Sequence, residues 1–353
     1  MNNDSVNGSP GPGASAGDGG SPGWGASAGD GGSSGWGACA GDGGSPAEIV
    51  VVGGGLAGLT AAILAARAGH TVTLHEGRRR LGGRATTDTR DGFRFNQGPH
   101  ALYRGGPAEA VLAELGITPK GVTPPLAGAM ADAGGRLERL IVGPGSLITS
   151  RLLGSGDKLA LVRVLTRLGR LDPASVAGLT VAQWLDGVTD REGTRRVLEA
   201  LVRLSSYTNA PGRLSAEVAV TQLRASLHHG VVYLDGGWGR LVRRLAEMAT
   251  AVGVRMVRGD RLGELPDAPA VIVAVGSPRA AAALTGHPYP DGIAADVSVL
   301  DLGLAGRPSH DFVLGVDVPG VDTRDDTRPT YLSNHGVAGD MAPPGHTPVS
   351  VAR

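Results

Sequence analysis

The sequence predicts an α/β fold: a Rossmann-type domain with a parallel sheet and an inserted, largely helical α+β domain. Three observations predict it. An apolar strand pattern at residues 47–52 leads into a glycine-rich turn and a helix pattern. A second apolar run then ends at an acidic residue, Glu76. Helical periodicity dominates residues 107–227, and strand and helix patterns alternate again after residue 236.

The predicted organisation has three parts. Residues 1–46 form a tail rich in glycine, serine and alanine. The Rossmann domain is discontinuous and takes residues 47–105 and 236–290. The inserted domain takes residues 106–235 and 291–353.

The tail is a repeat of about twelve residues with almost no aliphatic content. Burial of such a chain cannot offset its loss of conformational entropy, so we expect the tail to be disordered. Gly13–Gly17 and Gly25–Gly29 match the G-x-S-x-G pattern of hydrolases, but no strand precedes either copy. The third copy carries Cys39 in place of the serine, which argues against a nucleophile there.

Gly53, Gly55 and Gly58 supply the spacing G-x-G-x-x-G between the first strand and the first helix. The first glycine permits a tight turn, the second lets the backbone approach a pyrophosphate, and the third lets the helix pack on the strand. Leu56 and Ala57 complete the turn, where N–H groups of the helix N-terminus face the phosphates. This segment predicts a dinucleotide-binding site.

Glu76 lies eighteen residues after Gly58, at the end of the second strand pattern. An acid at this place accepts hydrogen bonds from a ribose diol. A membrane span over residues 47–66 is the competing interpretation, since the segment is almost uncharged. Its three successive glycines and polar continuation disfavour a span.

A second glycine pair, Gly82-Gly83, follows the acid and is joined to Arg84. This pair lets another backbone segment pass close to the cofactor, and a planar guanidinium can pair with a pyrophosphate. The arginines at 78–80 are interpreted as a solvated basic turn. A short strand pattern then ends in the flexible turn 98–100.

These motifs, in this order, resemble the superfamily of FAD-dependent amine oxidases, protoporphyrinogen oxidases and phytoene desaturases. The resemblance implies that FAD is the cofactor, that Glu76 binds the adenosine ribose and that residues 82–84 line the pyrophosphate. It also implies that the turn Gly98-Pro99-His100 lies near the flavin ring. An ordinary NAD-binding domain has no reason to place Gly-Gly-Arg six residues after its acid.

The resemblance continues after the inserted segment. Residues 236–239 open an amphipathic helix, and a strand pattern at 254–257 leads to Leu262. In the superfamily, the position of Leu262 touches the adenine through its backbone. Residues 270–275 form a continuous apolar run, which predicts a central parallel strand. Ala274, near the end of that run, is a further predicted cofactor contact.

The resemblance implies that the inserted domain covers the flavin and binds the substrate. Its predicted helices cover residues 107–116, 157–171, 181–188, 193–204 and 215–227, and strand patterns occur at 137–142 and 231–234.

Arg163, Arg167 and Arg170 share one face of the second of these helices, opposite an apolar stripe. A solvated face is the preferred interpretation, and peripheral membrane contact is the alternative. His100, His228 and His229 are candidates to line the site, although a lone histidine is more often structural.

Composition is that of a cytoplasmic enzyme. Basic and acidic residues balance at 33 each, so we expect no general attraction to nucleic acid. The single cysteine excludes a disulfide and a cysteine-based metal site, and we expect no metal. Neither a secretory signal nor a transmembrane segment is predicted.

The resemblance implies removal of a hydride from a small, apolar organic substrate to flavin N5, with oxygen or a quinone as acceptor. No catalytic residue can be assigned from the sequence. Many amine oxidases of the superfamily keep a lysine near N5, and neither Lys120 nor Lys158 lies in a matching motif. This favours desaturase-like chemistry over amine oxidation. The alternatives are an NAD-dependent dehydrogenase and a non-catalytic relative.

Superfamily members usually finish with a glycine-rich strand and helix beside the flavin. Here the sequence ends in a strand pattern at 348–352, and no such segment follows. The resemblance therefore predicts weakened retention of FAD.

Overall fold

The parallel sheet of the computed structural model begins within a few residues of the first position described. The structure describes residues 46–98, 100–289, 292–316 and 331–353. The predicted disordered tail, Pro46 excepted, and the predicted contact at Pro99 lie outside the described residues. Contacts group residues 46–353 into one unit.

The described chain alternates short strands and helices. Its strands are β1 Glu48–Val52, β2 Thr71–Glu76, β3 Thr87–Arg90, β4 Phe93–Asn96, β5 Leu102–Tyr103, β6 Gly121–Val122, β7 Met130–Ala133, β8 Arg136–Arg139, β9 Val231–Leu234, β10 Arg255–Arg258, β11 Ala270–Val273, β12 Val299–Ala305, β13 Phe312–Gly315, β14 Tyr331–Asn334 and β15 His346–Ala352. Its helices are α1 Leu56–Arg67, α2 Pro107–Glu114, α3 Pro144–Thr149, α4 Ser155–Leu168, α5 Val181–Val188, α6 Glu192–Ser206, α7 Ala216–His229, α8 Trp238–Ala251 and α9 Pro278–Thr285.

A four-stranded parallel sheet of order β10-β2-β1-β11 confirms the predicted Rossmann-type domain. Val51, Leu59, Ile63 and Leu74 are fully buried between its strands and helices. Helices α1 and α8 pack together on this core, because their apolar residues recur at helical spacing on one face. The carboxyl ends of β1 and β2 therefore meet at one edge of the sheet.

The prediction of a central strand at 270–275 is wrong. Within the described chain, β11 pairs only with β1, at the end of the sheet order, and its residues are partly exposed. Its apolar side chains pack on Val50, Val52 and Leu284. An apolar run shows that a strand is covered on its faces, but its neighbours depend on distant segments of the chain.

A second, six-stranded sheet has the order β12-β15-β14-β13-β7-β8 and is antiparallel except where β7 pairs with β13. It thus joins strands from residues 130–139 and 299–352. The helices α4 to α7 pack their apolar faces against it, with Phe312 and Leu314 of β13 in the same core. The boundaries of the two proposed domains stay a prediction.

The periodicity of the inserted segment predicts five of its described helices to within a few residues but not the short helix α3. Helix α5 has the predicted bounds, and α4, α6 and α7 differ from theirs by one to three residues. In α4 the stripe Leu161, Val164 and Leu168 is buried in the core, opposite the arginines. No helix in the described part of the chain is both long and apolar enough to cross a membrane.

The fully buried Leu198 of α6 tests the helical core. We expect Leu198→Ala to lower the free energy of unfolding by about 2–5 kcal/mol, because it removes transfer energy and leaves a cavity. Urea denaturation followed by circular dichroism measures this. Leu227→Ala, at a half-exposed leucine of α7, is the control and should change stability by less than about 0.5 kcal/mol. An equal loss of unfolding free energy in both variants would contradict the burial of Leu198 in the helical core.

Candidate cofactor-binding site

The turn between β1 and α1 is held by backbone packed on backbone. Gly53 has a φ of 112°, and a Cβ there would lie 2.4 Å from the carbonyl oxygen of Ala274. A Cβ on Gly58 would lie 1.8 Å from the carbonyl oxygen of Gly53. Both positions therefore require glycine for the fold itself, and β11 is brought against the turn through Ala274.

Gly55 differs from these two glycines. Its φ is −78°, which any residue adopts, and a Cβ built there meets no atom of the described chain within 4 Å. Gly55 is the N-cap of α1, and no side chain caps this helix N-terminus. Neither strain nor packing requires glycine at this position. What glycine does provide is close access to unpaired backbone N–H groups.

The carboxylate of Glu76 points into this turn. Its Oε2 accepts a hydrogen bond from the backbone N–H of Gly54 at 2.8 Å, and its Oε1 accepts one from that of Arg78 at 2.8 Å. A carboxylate has about four acceptor positions, so about two remain for other donors. The G-x-G-x-x-G spacing does not single out Gly54, where a Cβ would lie 2.5 Å from the side chain of Leu81.

The second glycine pair lies directly against the first turn. The N–H of Gly82 donates to the carbonyl of Gly54 at 2.7 Å, and Gly82 forms a parallel bridge with Gly55. Gly83 has a φ of 54°, and a Cβ built there would lie 3.7 Å from Cα of Gly55. Arg84 follows in a short 3-10 helix, is exposed, and makes no hydrogen bond or ion pair with the described residues.

All three arginines of the turn at 78–80 are exposed, as expected for a solvated basic turn. Arg80 also forms an ion pair with the exposed Asp88 and donates to the carbonyl of Thr87.

The turn after β10 is hydrogen-bonded to the end of β2. The N–H of Asp260 donates to the carbonyl of Glu76 at 3.1 Å, and the Asp260 carboxylate lies 2.7 Å from Nδ1 of His75. Leu262 follows and packs its side chain beside Val50 and Val52. Its backbone N–H has no hydrogen-bond partner among the described residues.

His100 lies beside the start of α8. Nδ1 of His100 is 3.0 Å from the carbonyl oxygen of Gly98, and the His100 ring meets that of Trp238 edge-on at 5.9 Å. The α8 N-terminus is already occupied, because the N–H of Trp238 donates to Asn96 and that of Gly239 donates to Thr87. Among the described helices, α1 thus offers the free N-terminus beside the glycine turns.

His228 and His229 have structural contacts instead. Nε2 of His228 lies 3.1 Å from the carbonyl oxygen of Gly169, and the ring of His229 packs against Gly105. Neither histidine contacts the glycine turns.

A row of polar side chains crosses three strands of the six-stranded sheet, and the sequence gives no local signal for it. Asp301, Ser350 and Ser333 are register neighbours on β12, β15 and β14. Ser350 donates to Asp301 at 2.5 Å, and Oγ of Ser333 lies 2.7 Å from Nε2 of His335. The row does not form a nucleophilic triad, because Asp301 is bonded to Ser350 rather than to the histidine and Ser333 is buried.

Burial disfavours the charged forms of two residues in this row. Burial lowers the pKa of His335 to about 4, and the nearby charge of His100 acts in the same direction. Burial raises the pKa of Asp301, although the hydrogen bond from Ser350 and the charge of His100 oppose it. These couplings place His100, Asp301 and His335 in one electrostatic neighbourhood.

Tyrosines extend the row. The ring of Tyr233 stacks on His335 at 4.4 Å, and its hydroxyl lies 3.0 Å from that of Tyr331. Burial raises the pKa values of Tyr207, Tyr233 and Tyr331, so these phenols stay protonated. A cavity of about 530 Å³ is lined by Tyr207 and Tyr331, among others. A second cavity of similar volume lies near His346, and neither is lined by the glycine turns.

Metal ligation is not supported within the described residues, where no group of three or more histidine, cysteine, aspartate or glutamate side chains is placed to hold an ion.

Comparison with known proteins points to the same segment. A family model described as an NAD(P)-binding Rossmann-like domain matches residues 51–115. The L-amino-acid oxidase of Bungarus fasciatus is 51% identical over 59 residues, which are 16% of this chain and 11% of the oxidase. The 4,4'-diaponeurosporene oxygenase of Staphylococcus aureus is 44% identical over 55 residues, again 16% of this chain and 11% of the relative. The match thus spans about a tenth of each relative's length.

Similarity to solved structures covers most of the chain, unlike the sequence matches. An oxidoreductase from Methanosarcina mazei superposes with a TM-score of 0.64 over 87% of this chain and 78% of its own, at 16% identity. At that identity the likeness shows the fold. Together with the oxidase and oxygenase matches, it confirms the resemblance to the superfamily of FAD-dependent amine oxidases and desaturases.

The buried His335 predicts a dependence of stability on pH. Its pKa of about 4 in the folded chain lies below the value of about 6.5 expected on unfolding, so only the unfolded chain takes up this proton between the two values. Stability should therefore fall as pH decreases through this window. We expect His335→Gln to remove about 2 kcal/mol of the loss between about pH 7.5 and about pH 5.

Urea denaturation at the two pH values measures the effect. His287→Gln, at an exposed histidine, is the control and should keep the wild-type dependence. Parallel pH dependence in the wild type and His335→Gln would refute the buried neutral histidine.

Proposed function

We propose that this chain is an FAD-dependent oxidoreductase that removes a hydride from a small, apolar organic substrate. The main support for this proposal is the accessible backbone at Gly55. A glycine that neither its φ nor its packing explains lies at an uncapped helix N-terminus, beside an acid with free acceptor positions. That combination suits a diphosphate joined to a ribose.

The proposed cofactor contacts follow from this geometry. The diphosphate would bind the N–H groups of Gly55, Leu56 and Ala57, beyond the tight turn made by Gly53 and Gly58. A phosphate there would displace no capping side chain, because no described side chain forms a capping hydrogen bond at α1.

Other proposed contacts lie around this centre. The free acceptor positions of Glu76 would bind the ribose hydroxyls, and the guanidinium of Arg84 would pair with the diphosphate. The free N–H of Leu262 would meet the adenine. Gly82, Gly83 and Ala274 would provide close backbone surfaces, and the turn Gly98-Pro99-His100 would lie toward the flavin ring.

When bound, FAD supplies a hydride acceptor at N5. The chain's own part is to orient the substrate and exclude water. We propose that the inserted segments, residues 106–235 and 291–353, provide the surface that contacts the substrate. The couplings of His100 to Asp301 and His335 favour the polar row as its inner wall.

Desaturase-like chemistry is the favoured form of this function. Lys158 donates to the carbonyl of Ile148 at the surface, and Lys120 is exposed, so neither lysine stands beside the glycine turns. Oxygen or a quinone would reoxidise the flavin. The substrate would be a free small molecule, with no nucleic acid involved, and the protein would act in the cytoplasm.

The main alternative is an NAD-dependent dehydrogenase. The contacts of Gly82 with Gly54 and Gly55 weigh against it, because an accidental sequence match would have no reason to lie against the first glycine turn. A non-catalytic relative would keep the same contacts but show no turnover.

Colour and cofactor titration separate these possibilities. Under our proposal the purified full chain is yellow, with absorption near about 450 nm, or becomes so on addition of FAD. Colourless protein that binds NADH but not FAD would establish the dehydrogenase. Binding of neither would leave the non-catalytic relative, and flavin bleaching by polyprenes, porphyrinogens or amines without oxygen would identify the substrate class.

The variant Gly55→Ala tests whether the accessible backbone at Gly55 binds the cofactor. Because its Cβ meets no described atom, we expect the variant to fold with wild-type stability and to bind FAD at least about tenfold more weakly, since the methyl group would hold the diphosphate away from the N–H groups. Gly58→Ala is the contrasting variant and should lose stability as well. Wild-type FAD affinity in Gly55→Ala would count against the site.

Glu76→Ala tests the ribose contact. Removing the carboxylate deletes charge-assisted hydrogen bonds of about 1.5–3 kcal/mol each, so we expect FAD affinity to fall by about 10–100-fold. Fluorescence titration with FAD measures it. Glu114→Ala, at an exposed glutamate of α2, should leave affinity unchanged. Unchanged flavin content in Glu76→Ala would refute the assignment.

A further inference from the structure

The segment from the end of β8 through α3 and α4, residues 139–171, has a charge unlike the rest of the chain. It contains six basic residues and one acidic residue, whereas the whole chain balances at 33 of each. The basic residues are Arg139, Arg151, Lys158, Arg163, Arg167 and Arg170. We call this segment the basic apolar surface.

The single acid of this surface is already engaged elsewhere. Oδ1 of Asp157 accepts a hydrogen bond from the backbone N–H of Thr194 at 3.2 Å, near the start of α6. The five arginines are exposed and form no ion pair with the described residues. Their positive charge is therefore directed to solvent without compensation.

Large aliphatic side chains are exposed on the same surface. Ile148 is 80% exposed, Leu159 51%, Val142 42% and Val162 39%. On α4, Leu159, Val162 and Arg163 are separated by three and four residues and lie on the side opposite the buried stripe. These side chains make no contribution to the core, so folding does not explain them.

Hydrogen bonds join the pieces of the surface. Nζ of Lys158 donates to the carbonyl of Ile148 at 3.3 Å, which fastens α4 to α3. Oγ of Ser150 donates to the carbonyl of Arg139 at 2.5 Å, which fastens the end of α3 to β8. These bonds connect β8, α3 and α4, the elements that carry the cations and the exposed aliphatic groups.

We propose that the basic apolar surface docks on the interface of a lipid bilayer that carries anionic headgroups. Exposed aliphatic groups gain by entering the boundary between headgroups and acyl chains, while surrounding cations are attracted to anionic lipid. A nucleic acid fits less well, because residues 139–171 contain no aromatic side chain on which a base could stack. This inference goes beyond the proposed oxidoreductase activity and does not depend on it.

Vesicle flotation of the full chain tests the proposal. We expect the protein to float with vesicles of phosphatidylcholine and phosphatidylserine, to remain behind with phosphatidylcholine alone, and to be released by salt. The double variant Arg163→Glu with Arg167→Glu should weaken partitioning at least about 25-fold, since each cation contributes about fivefold, or about 1 kcal/mol.

The aliphatic contribution is tested separately. Ile148→Ser with Leu159→Ser should weaken binding even though both cations of the previous variant remain. Two controls match these changes in chemistry: Val218→Ser, at a half-exposed valine of α7, and Arg243→Glu with Arg244→Glu, at exposed arginines of α8. Both controls should bind vesicles as the wild type does, and circular dichroism and melting temperature confirm that every variant is folded.

Several outcomes overturn the proposal. Equal partitioning to both kinds of vesicle, or to neither, excludes recognition of anionic lipid. Losses as large in the controls as in the designed variants exclude this surface. Retention by an acidic polypeptide or RNA without binding to vesicles assigns the surface to a macromolecular partner instead.

Discussion

The contact of one backbone segment with another at the start of α1 is the constraint on which the rest of the site depends. The absence of a side chain at Gly58 lets the helix approach the carbonyl of Gly53, and Gly53 in turn accommodates the carbonyl of Ala274. These contacts fix where α1 begins relative to β1 and β11. They thereby direct the uncapped N-terminus of α1 to the edge of the sheet where β1 and β2 end.

Glu76 extends this arrangement to parts of the chain that are distant in sequence. Its carboxylate holds Gly54, its carbonyl accepts from Asp260, and the carbonyl of Gly54 holds Gly82. Main-chain hydrogen bonds therefore assemble four segments around one place. A binding surface made of backbone is already organised before a ligand arrives, and little entropy is lost when it binds.

The inserted segments contribute two contrasting surfaces. Inside, burial disfavours the charged forms of Asp301 and His335 in the polar row, whose members are joined by hydrogen bonds. Outside, the basic apolar surface presents uncompensated cations beside exposed aliphatic groups. The first arrangement suits a substrate of low polarity, and the second suits the boundary of a lipid phase, where such substrates dissolve.

The sequence by itself determined the features that depend on neighbours in the chain. Glycine spacing around Gly53, the acid at Glu76 and the helical periodicity of residues 157–227 are local, and each predicts its element because backbone conformation and amphipathic period act over a few residues. Only the tertiary structure decided that β11 is an edge strand of the described sheet, that Gly54 anchors Glu76, and that Ser333 pairs with Ser350. Those outcomes depend on register and strand order, which are set by contacts between distant segments and leave no pattern in either segment alone.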